Sequence, residues 1–200
     1  MLRLRKRIAQ VVKTQTMQPF SGFTLIEVLI TIVILAVGLL GLAGLQVTSL
    51  NNQLESYQRA QALLLLEDMA NRIRANADAA RAGNYTVGDQ YGLTGAVNCA
   101  NPAFTIAQRD LCEWNIALAG SGVMLDTEAV GSVLGARGCI ENIDGSDFGE
   151  TNIRLTIAWQ GMSPTKAPPD SIACGKDQYG DPDSYRRVAR LDTVLADLSL

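Results

Sequence analysis

The sequence predicts an α+β fold in which a long N-terminal α-helix packs on a small antiparallel β-sheet head. An apolar run begins at Phe23, a helical pattern without proline continues beyond it, and short alternating strand patterns follow in the second half. A chain of 200 residues accommodates one membrane segment and one modest domain, because domains commonly have about 100–150 residues. The predicted architecture is therefore one helical anchor with one head.

The apolar run from Phe23 to Val47 is long enough to cross a bilayer, and its single ionisable side chain is Glu27, near its beginning. About 20 apolar residues span the hydrocarbon core, and a charge inside it costs about 2.5 kcal/mol or more unless it pairs or faces other protein. Glu27 is therefore a candidate functional residue.

The charge distribution around the apolar run predicts its orientation. Five cations precede the run, and none follows it until Arg59. The positive-inside tendency then keeps the N-terminus cytoplasmic and exports the C-terminal part. The mildly acidic net charge of −3 gives no general attraction to nucleic acid. We expect a periplasmic head.

Four cysteines lie on the exported side, where an oxidising periplasm permits disulfides. They allow three pairings, and none has the short paired spacing of a zinc or redox motif. We favour Cys99 with Cys112 and Cys139 with Cys174, because each pair closes a local segment. The chain has no histidine, so the commonest zinc ligand is missing, and we expect neither a metal nor a cofactor.

The segment Met1–Ser21 is polar and basic, as in a leader peptide. An ordinary secretory signal has its small-residue cleavage site after the apolar core, whereas here Ser21 and Gly22 precede it. Cleavage at this point leaves the apolar segment on the mature chain. Met17 is an alternative start, but the shorter leader would have no basic residue, so we take Met1 as the start.

The run Gly22-Phe23-Thr24-Leu25-Ile26-Glu27 resembles the class III signal of type IV pilins and pseudopilins, in which a membrane peptidase cuts after the glycine and methylates the new amine. The resemblance implies that Gly22 is the leader cleavage residue, Phe23 the N-methylated first residue and Glu27 the acid needed for assembly. The positive Phe23 amine of an incoming subunit can sit against Glu27 of a neighbour, so that each charge offsets the desolvation of the other.

The predicted parts of the chain are a cleaved leader at 1–22, a transmembrane or filament-core half-helix at 23–47, an amphipathic half-helix at 48–80 and a head at 81–200. One continuous helix is expected from about Phe23 to about Ala80. The side of this helix that packs on the head is predicted from its apolar residues, which are Leu50, Leu54, Tyr57, Leu64, Met69 and Ile73.

The first half of the head is predicted to contain a loop and one short helix. Residues 85–102 are rich in glycine and asparagine, and they are read as a loop with at most one short strand. Thr105 and Gln108 resemble a capping box, so a helix is expected from about Ile106 to Ala119, with Trp114 in the core.

The second half of the head is predicted to form the sheet. A short strand is expected within 123–135, another at Gly138–Ile143, and the clearest at Ile153–Trp159, where apolar residues alternate and Trp159 points inward. Gly161–Ser184 is read as a surface loop that Cys174 staples. The pattern of 187–200 fits a strand or a helix, and we choose a closing strand.

Two further runs resemble the PilV-type minor pilins, the type IV pilus modification proteins. They are Gly38-Leu39-Leu40-Gly41-Leu42-Ala43-Gly44-Leu45-Gln46 and Asp68-Met69-Ala70-Asn71-Arg72-Ile73-Arg74-Ala75-Asn76; Leu155-x-Ile157-x-Trp159 agrees with them. The resemblance implies a low-copy, non-enzymatic subunit that helps to initiate pilus assembly at the inner membrane and then sits in the filament or at its tip. Its implied partners are the prepilin peptidase, other minor pilins, the major pilin, the assembly platform and the bilayer.

Three alternatives stay open. A type II secretion pseudopilin shares the export signal. An anchored enzyme would need a catalytic constellation, and the acids Glu67, Asp68, Asp126, Glu128, Asp144 and Asp147 show none; residues 144–147 are read as a turn rather than a calcium loop. A tip adhesin or DNA-binding head would use arginines: Arg72, Arg74, Arg81, Arg186, Arg187 and Arg190.

Overall fold

The computed structural model describes residues 22–86, 91–93, 98–120, 124–125, 128–129, 133–143 and 150–196. The predicted leader up to Ser21, parts of the predicted loop at 85–102 and of the strand region at 123–135, the predicted turn at 144–147 and the last four residues lie outside these ranges. The chain divides into two units, one up to Leu45 and one from Gln46 onward, and each is described by itself.

Helix α1 comprises Leu25–Ala75. Thr24 caps its N-terminus, because the Thr24 Oγ1 accepts a hydrogen bond from the Glu27 amide at 3.3 Å. The prediction of one uninterrupted helix to about Ala80 is wrong by one break, which falls at Asn76 (φ −123°, ψ 52°). The Asn76 side chain donates to the Tyr85 hydroxyl at 3.1 Å instead of facing solvent, and a short helix α2, Ala77–Arg81, follows.

The face of α1 that packs on the head differs from the predicted one. Met69 and Ile73 are buried as expected, but the other buried positions are Ala62, Leu66 and Ala70. The predicted members Leu50, Leu54, Tyr57 and Leu64 are exposed. At about 100° per residue the two sets lie on opposite sides of the helix. The prediction chose the side with the larger apolar residues. It was wrong because the head packs closely on the side that carries the small residues Ala62 and Ala70.

Helix α3, Ile106–Leu118, agrees with the predicted helix to within one residue. The capping box is complete, since Thr105 Oγ1 accepts from the Gln108 amide and the Gln108 side chain accepts from the Thr105 amide. Trp114 is fully buried, as predicted, and its Nε1 donates to the Leu65 carbonyl of α1 at 3.0 Å. This bond fixes α3 against the helical spine.

The head contains a two-stranded and a three-stranded antiparallel sheet. Strands β1 (Met124–Leu125) and β2 (Glu128–Ala129) form the first, where one short strand was predicted. In the second, β4 (Thr151–Gln160) lies between β3 (Arg137–Asn142) and β5 (Arg186–Leu195). The closing strand is confirmed, and the α+β prediction of a long helix packed on a small antiparallel sheet is confirmed with it.

Both faces of β4 are buried, although alternation predicted one apolar face. Ile153, Leu155, Ile157 and Trp159 join the core shared with α1 and α3, as predicted. Thr156 and Ala158 on the other face are also buried, because the 161–184 loop carries Cys174 and Tyr179 onto Ala158. A loop that returns over a sheet leaves no periodic signal in its own sequence, so this second layer could not be predicted.

Two disulfides join Cys99 to Cys112 and Cys139 to Cys174, with Cα–Cα distances of 5.7 and 5.9 Å. These are the pairs favoured from sequence proximity. The first ties the segment before α3 to that helix. The second holds the 161–184 loop on β3, next to the central strand.

Gly138 in β3 is a close-packing position and gives a stability prediction. A Cβ at Gly138 would lie 2.3 Å from Trp114 Cη2 and 2.6 Å from Leu118 Cδ1. We expect Gly138→Ala to lower the free energy of unfolding by about 1–3 kcal/mol, because α3 must move away from the sheet. Chemical denaturation measures the change. The matched control is Gly41→Ala, where nothing lies within 4 Å; an equal loss in both variants would contradict the packing argument.

Candidate functional site

The N-terminal end of α1 presents the predicted processing residues to solvent. Gly22 and Phe23 precede the helix and are exposed, Phe23 to 83%. Thr24 then caps the helix, and Glu27 lies in its first turn. Within the described part of the chain, no hydrogen bond or ion pair engages the Glu27 carboxylate. The helix end thus offers an accessible backbone at Gly22–Phe23 and an acid without a partner.

The first part of α1 has the length and composition of a membrane span. Leu25–Ala75 is the one helix among the described residues that is long and apolar enough to cross a bilayer. Leu25 and Leu40 are 88% and 73% exposed, and every residue from Gly22 to Leu50 is exposed. So much apolar surface requires lipid or other protein to cover it.

A further apolar stripe continues along the part of α1 that carries the head. Leu50, Leu54, Tyr57 and Leu64 are 58%, 47%, 54% and 57% exposed. Their spacing of four, three and seven residues places them on one helix face, opposite the buried face. We call these four residues the outer stripe. The outer stripe is available for packing against another helix.

The segment Asp68–Asn76 holds the head on α1. Met69, Ala70 and Ile73 enter the core, while Arg72 on the other side of the helix binds acids. Arg72 donates to Asp68 at 2.9 Å, to Asp110 of α3 at 3.2 Å and to Glu113 of α3 at 2.5 Å. Arg72 therefore joins α1 to α3 through the two carboxylates of Asp110 and Glu113, and Asp68 on its own helix holds it in place.

Tyr85 extends this cluster into the buried interior. Its hydroxyl donates to Asp110 at 2.5 Å and accepts from Asn76. Burial raises the pKa of Tyr85 to about 12, and the hydrogen bond to Asp110 acts in the same direction. The neutral phenol is therefore part of the folded structure.

The raised pKa of Tyr85 predicts a pH dependence. An unfolded tyrosine ionises near pH 10, so the folded state holds this proton more tightly. The stabilisation is complete below about pH 10 and is lost as the pH rises toward 12. We expect the thermal midpoint to fall over this interval, and to fall less steeply in Tyr85→Phe. Equal slopes in the two proteins would contradict the assignment.

A second polar contact, which sequence reasoning missed, joins α1 to the last strand. Arg187 of β5 forms an ion pair with Glu55 of α1, and its guanidinium also donates to the Ser163 carbonyl at 2.7 Å. Gly161 lies beside this guanidinium, where a Cβ would approach it to 2.7 Å. The pair is separated by 132 residues, so no local pattern reveals it.

Most arginines proposed for phosphate contact are used inside the protein. Arg74 donates to Thr193 and Asn71, Arg81 to Asp78 and the Ala196 carbonyl, and Arg186 is buried with Asp183 at 2.5 Å. Arg72 and Arg187 hold the contacts described above. Arg190 is the remaining member of the set; it is exposed and makes no hydrogen bond or ion pair among the described residues, although its charge helps to lower the pKa of Asp192. This arrangement favours a structural role for the arginines.

The acids considered for catalysis do not form a site among the described residues. Asp68 pairs with Arg72, and Glu67 is exposed on α1. Asp126, Asp144 and Asp147 lie outside the described ranges, and Glu128 is described only as part of β2. In the described part of the chain, no group of three His, Cys, Asp or Glu side chains is placed to hold a metal ion.

Two family models together match residues 17–113 of the chain. Residues 17–43 match the prokaryotic N-terminal methylation motif, which contains Gly22, Phe23 and Glu27. Residues 44–113 match the Tt1218-like family, described as type IV pilin Tt1218, and this match runs from α1 to α3. No curated protein and no solved structure matches the chain. Both family matches support a type IV pilin, and the packing of a long N-terminal helix on a small sheet is consistent with that class.

Proposed function

We propose that this chain is a type IV pilin, as its two family matches support, and that within this class it is a minor pilin that helps to initiate pilus assembly at the inner membrane, in a minor-pilin complex at the filament tip. The observation that carries the proposal is the exposed Gly22–Phe23 junction followed by an unpartnered Glu27 at the start of an exposed apolar helix. Such an end suits processing and then insertion among other helices.

The proposed processing sequence begins with the leader. The prepilin peptidase removes residues 1–22 and methylates the amine of Phe23. The helix is kept in the membrane by residues 23–47, with the N-terminus facing the cytoplasm because the basic residues precede the apolar run. The head is then periplasmic, where the disulfides Cys99–Cys112 and Cys139–Cys174 are stable.

Assembly is driven by helix packing and aligned by charge. The positive Phe23 amine of one subunit pairs with Glu27 of its neighbour, which lowers the desolvation cost of both groups and fixes the register between the helices. The outer stripe extends this helix contact beyond Val47, because its four apolar side chains face away from the head. The expected neighbours are other minor pilins, the major pilin and the assembly platform.

The assignment to the minor pilins rests on the resemblance of Gly38–Gln46 and Asp68–Asn76 to the PilV-type proteins, and the Leu155–Trp159 strand agrees with it. In the structure the last two of these segments belong to the interface between α1 and the head. The resemblance therefore concerns how the head is mounted on the helix, and the role in initiation is the step that we propose.

The test is a chromosomal deletion in the native host, complemented with the wild-type chain or with Glu27→Ala. Loss of surface pili with normal secretion of exoproteins, restored only by the wild-type chain, is the expected result. Loss of secretion with normal pili would identify a secretion pseudopilin instead. Normal pili and normal secretion in the deletion strain would contradict the proposal.

A further inference from the structure

The outer edge of β5 has a stretch of backbone that is free within the described part of the chain. The amide of Gly161, the residue directly after β4, donates to the Tyr185 carbonyl at 2.7 Å. The amide of Ile143, the residue directly after β3, donates to the Asn152 carbonyl at 2.8 Å. With the observed register, the odd-numbered residues of β5 bond to β4 and the even-numbered residues direct their N–H and C=O groups outward.

The chain closes both ends of this edge but not its middle. The outward amide of Arg186 donates to the Asp183 carbonyl at 3.1 Å, and the outward carbonyl of Ala196 accepts from Arg81 at 2.6 Å. Between them, Val188, Arg190, Asp192 and Val194 have no backbone partner among the described residues. We call these four residues the open edge. An open edge is a template for a further strand.

The side chains of the open edge favour particular charges in a strand that pairs with it. Asp192 is already held by Arg154 through two bonds of 2.9 and 2.8 Å. Arg190 is exposed and makes no hydrogen bond or ion pair among the described residues, although its charge helps to lower the pKa of Asp192. A strand that adds here is stabilised by a carboxylate beside Arg190 and by small or β-branched residues beside Val188 and Val194.

The direction of β5 restricts the partner. Along α1, Arg187 contacts Glu55, Thr193 contacts Arg74, and Ala196 contacts Arg81 at the end of α2. Strand β5 therefore runs in the same direction as α1. We take the partner to share the arrangement of this head, in which the edge strands β3 and β5 are parallel to each other and β5 runs along α1. If the N-terminal helices of the two subunits point the same way through one membrane, such a strand adds to this edge in parallel.

A second copy of this chain does not fit the requirement. Antiparallel pairing of two β5 strands would place Arg190 beside Asp192 of the other copy, but it requires opposite chain directions. In a parallel pair, each outward residue of one strand lies between two outward residues of the other strand, so Arg190 would lie opposite an odd-numbered residue of the second β5. The odd-numbered residues of β5 are Arg187, Ala189, Leu191, Thr193 and Leu195, and none of these five is acidic. A second copy anchored in the same membrane therefore supplies no carboxylate opposite Arg190.

We infer that the open edge is the docking strand for the head of a different pilin-like subunit, which extends the sheet with a parallel strand that carries a carboxylate beside Arg190. This inference rests on the proposed function, because it takes the partner from the same membrane. Backbone pairing supplies the attachment, and the Arg190 charge selects which subunit stands next to this one.

The test uses the full chain in its native host with the photocrosslinking residue benzoylphenylalanine at Val194. The expected result is an adduct with another subunit that carries its own N-terminal methylation motif, joined through an edge strand. Benzoylphenylalanine at Ile106, an exposed residue of α3, is the matched control and should not give this adduct. An adduct with a second copy of this chain, or no difference from the control, would overturn the inference.

Substitutions at Arg190 separate backbone pairing from charge. Arg190→Pro removes an outward N–H without removing a bond to β4, and Arg190→Glu reverses the charge; each should lower the Val194 adduct at least tenfold. Arg190→Gln keeps the N–H and should retain more adduct than either. Arg59→Glu makes the same charge reversal at an exposed position of α1 and should change nothing. Equal adduct in all variants would also overturn the inference.

Two measurements on the same cells keep the outcomes distinct. Both disulfides and a protease-resistant head must be present in each variant, so that unfolding is not taken for loss of docking. The N-terminus of the chain is determined as well. A chain that begins at Phe23 but gives no specific adduct refutes the docking edge alone, whereas a chain that retains its leader refutes the proposed function.

Discussion

Glu27→Ala is expected to reduce incorporation of the mature chain into pili by about 100-fold or more. The substitution leaves the Phe23 amine of a neighbouring subunit without a counter-charge in an apolar bundle, and removing one partner of a buried ion pair costs about 3–5 kcal/mol. Since about 1.4 kcal/mol corresponds to a factor of ten, assembly falls by at least two orders of magnitude. Quantification of the chain in sheared, purified pili measures the effect.

The loss should be confined to assembly. We expect leader removal to continue in Glu27→Ala, because the proposed cleavage site at Gly22–Phe23 is unchanged and remains exposed before the helix. Glu67→Ala is the matched control, since it also removes an exposed acid of α1 but one that lies outside the apolar segment. Normal pilus incorporation of Glu27→Ala, or an equal defect in Glu67→Ala, would refute the assembly role of Glu27.

Removal of the Cys139–Cys174 disulfide is expected to cost more stability than removal of Cys99–Cys112. The first pair closes a separation of 35 residues and the second a separation of 13, so chain entropy predicts losses of about 4 and about 3 kcal/mol. Cys139 and Cys174 are also 7% and 2% exposed, and their loop covers the outer face of β4. Packing loss therefore adds to the larger entropic term.

Chemical denaturation of the Cys139→Ala, Cys174→Ala double variant and the Cys99→Ala, Cys112→Ala double variant compares the two losses. The first should also unfold the 161–184 loop, which limited proteolysis reports as new cleavage between Gly161 and Ser184. A larger loss of stability in the second variant, or an intact loop in the first, would contradict the assigned role of the long-range disulfide.

The sequence carried enough information for the class of fold because its strongest signals are local. The apolar run, the capping box at Thr105 and Gln108, and the alternation of Ile153 to Trp159 each depend on residues that are close in the chain. They led to α1, α3 and β4 with nearly correct limits. The match to the N-terminal methylation motif is also local in sequence, and processing at Gly22–Phe23 stays a prediction.

The remaining features depend on contacts that are distant in sequence. The choice of the head-facing side of α1 failed because Ala62 and Ala70 contribute to a close contact that hydrophobicity alone assigns to Leu50 and Leu54. The Arg72 cluster and the Arg187–Glu55 pair join residues far apart in the chain. The positions of charged residues in the sequence do not reveal which of them meet in space. Their partners could therefore be identified only once the positions of the helices and strands were known.

The most direct test of the account is the N-terminal sequence and intact mass of the membrane-extracted chain from its native host, compared with the Gly22→Ala variant. The account predicts a mature chain that begins at methylated Phe23, and a Gly22→Ala chain that keeps its leader. A chain that still begins at Met1 or Met17, or one that is cut after the apolar run, would contradict the central claim that this protein is a processed pilin.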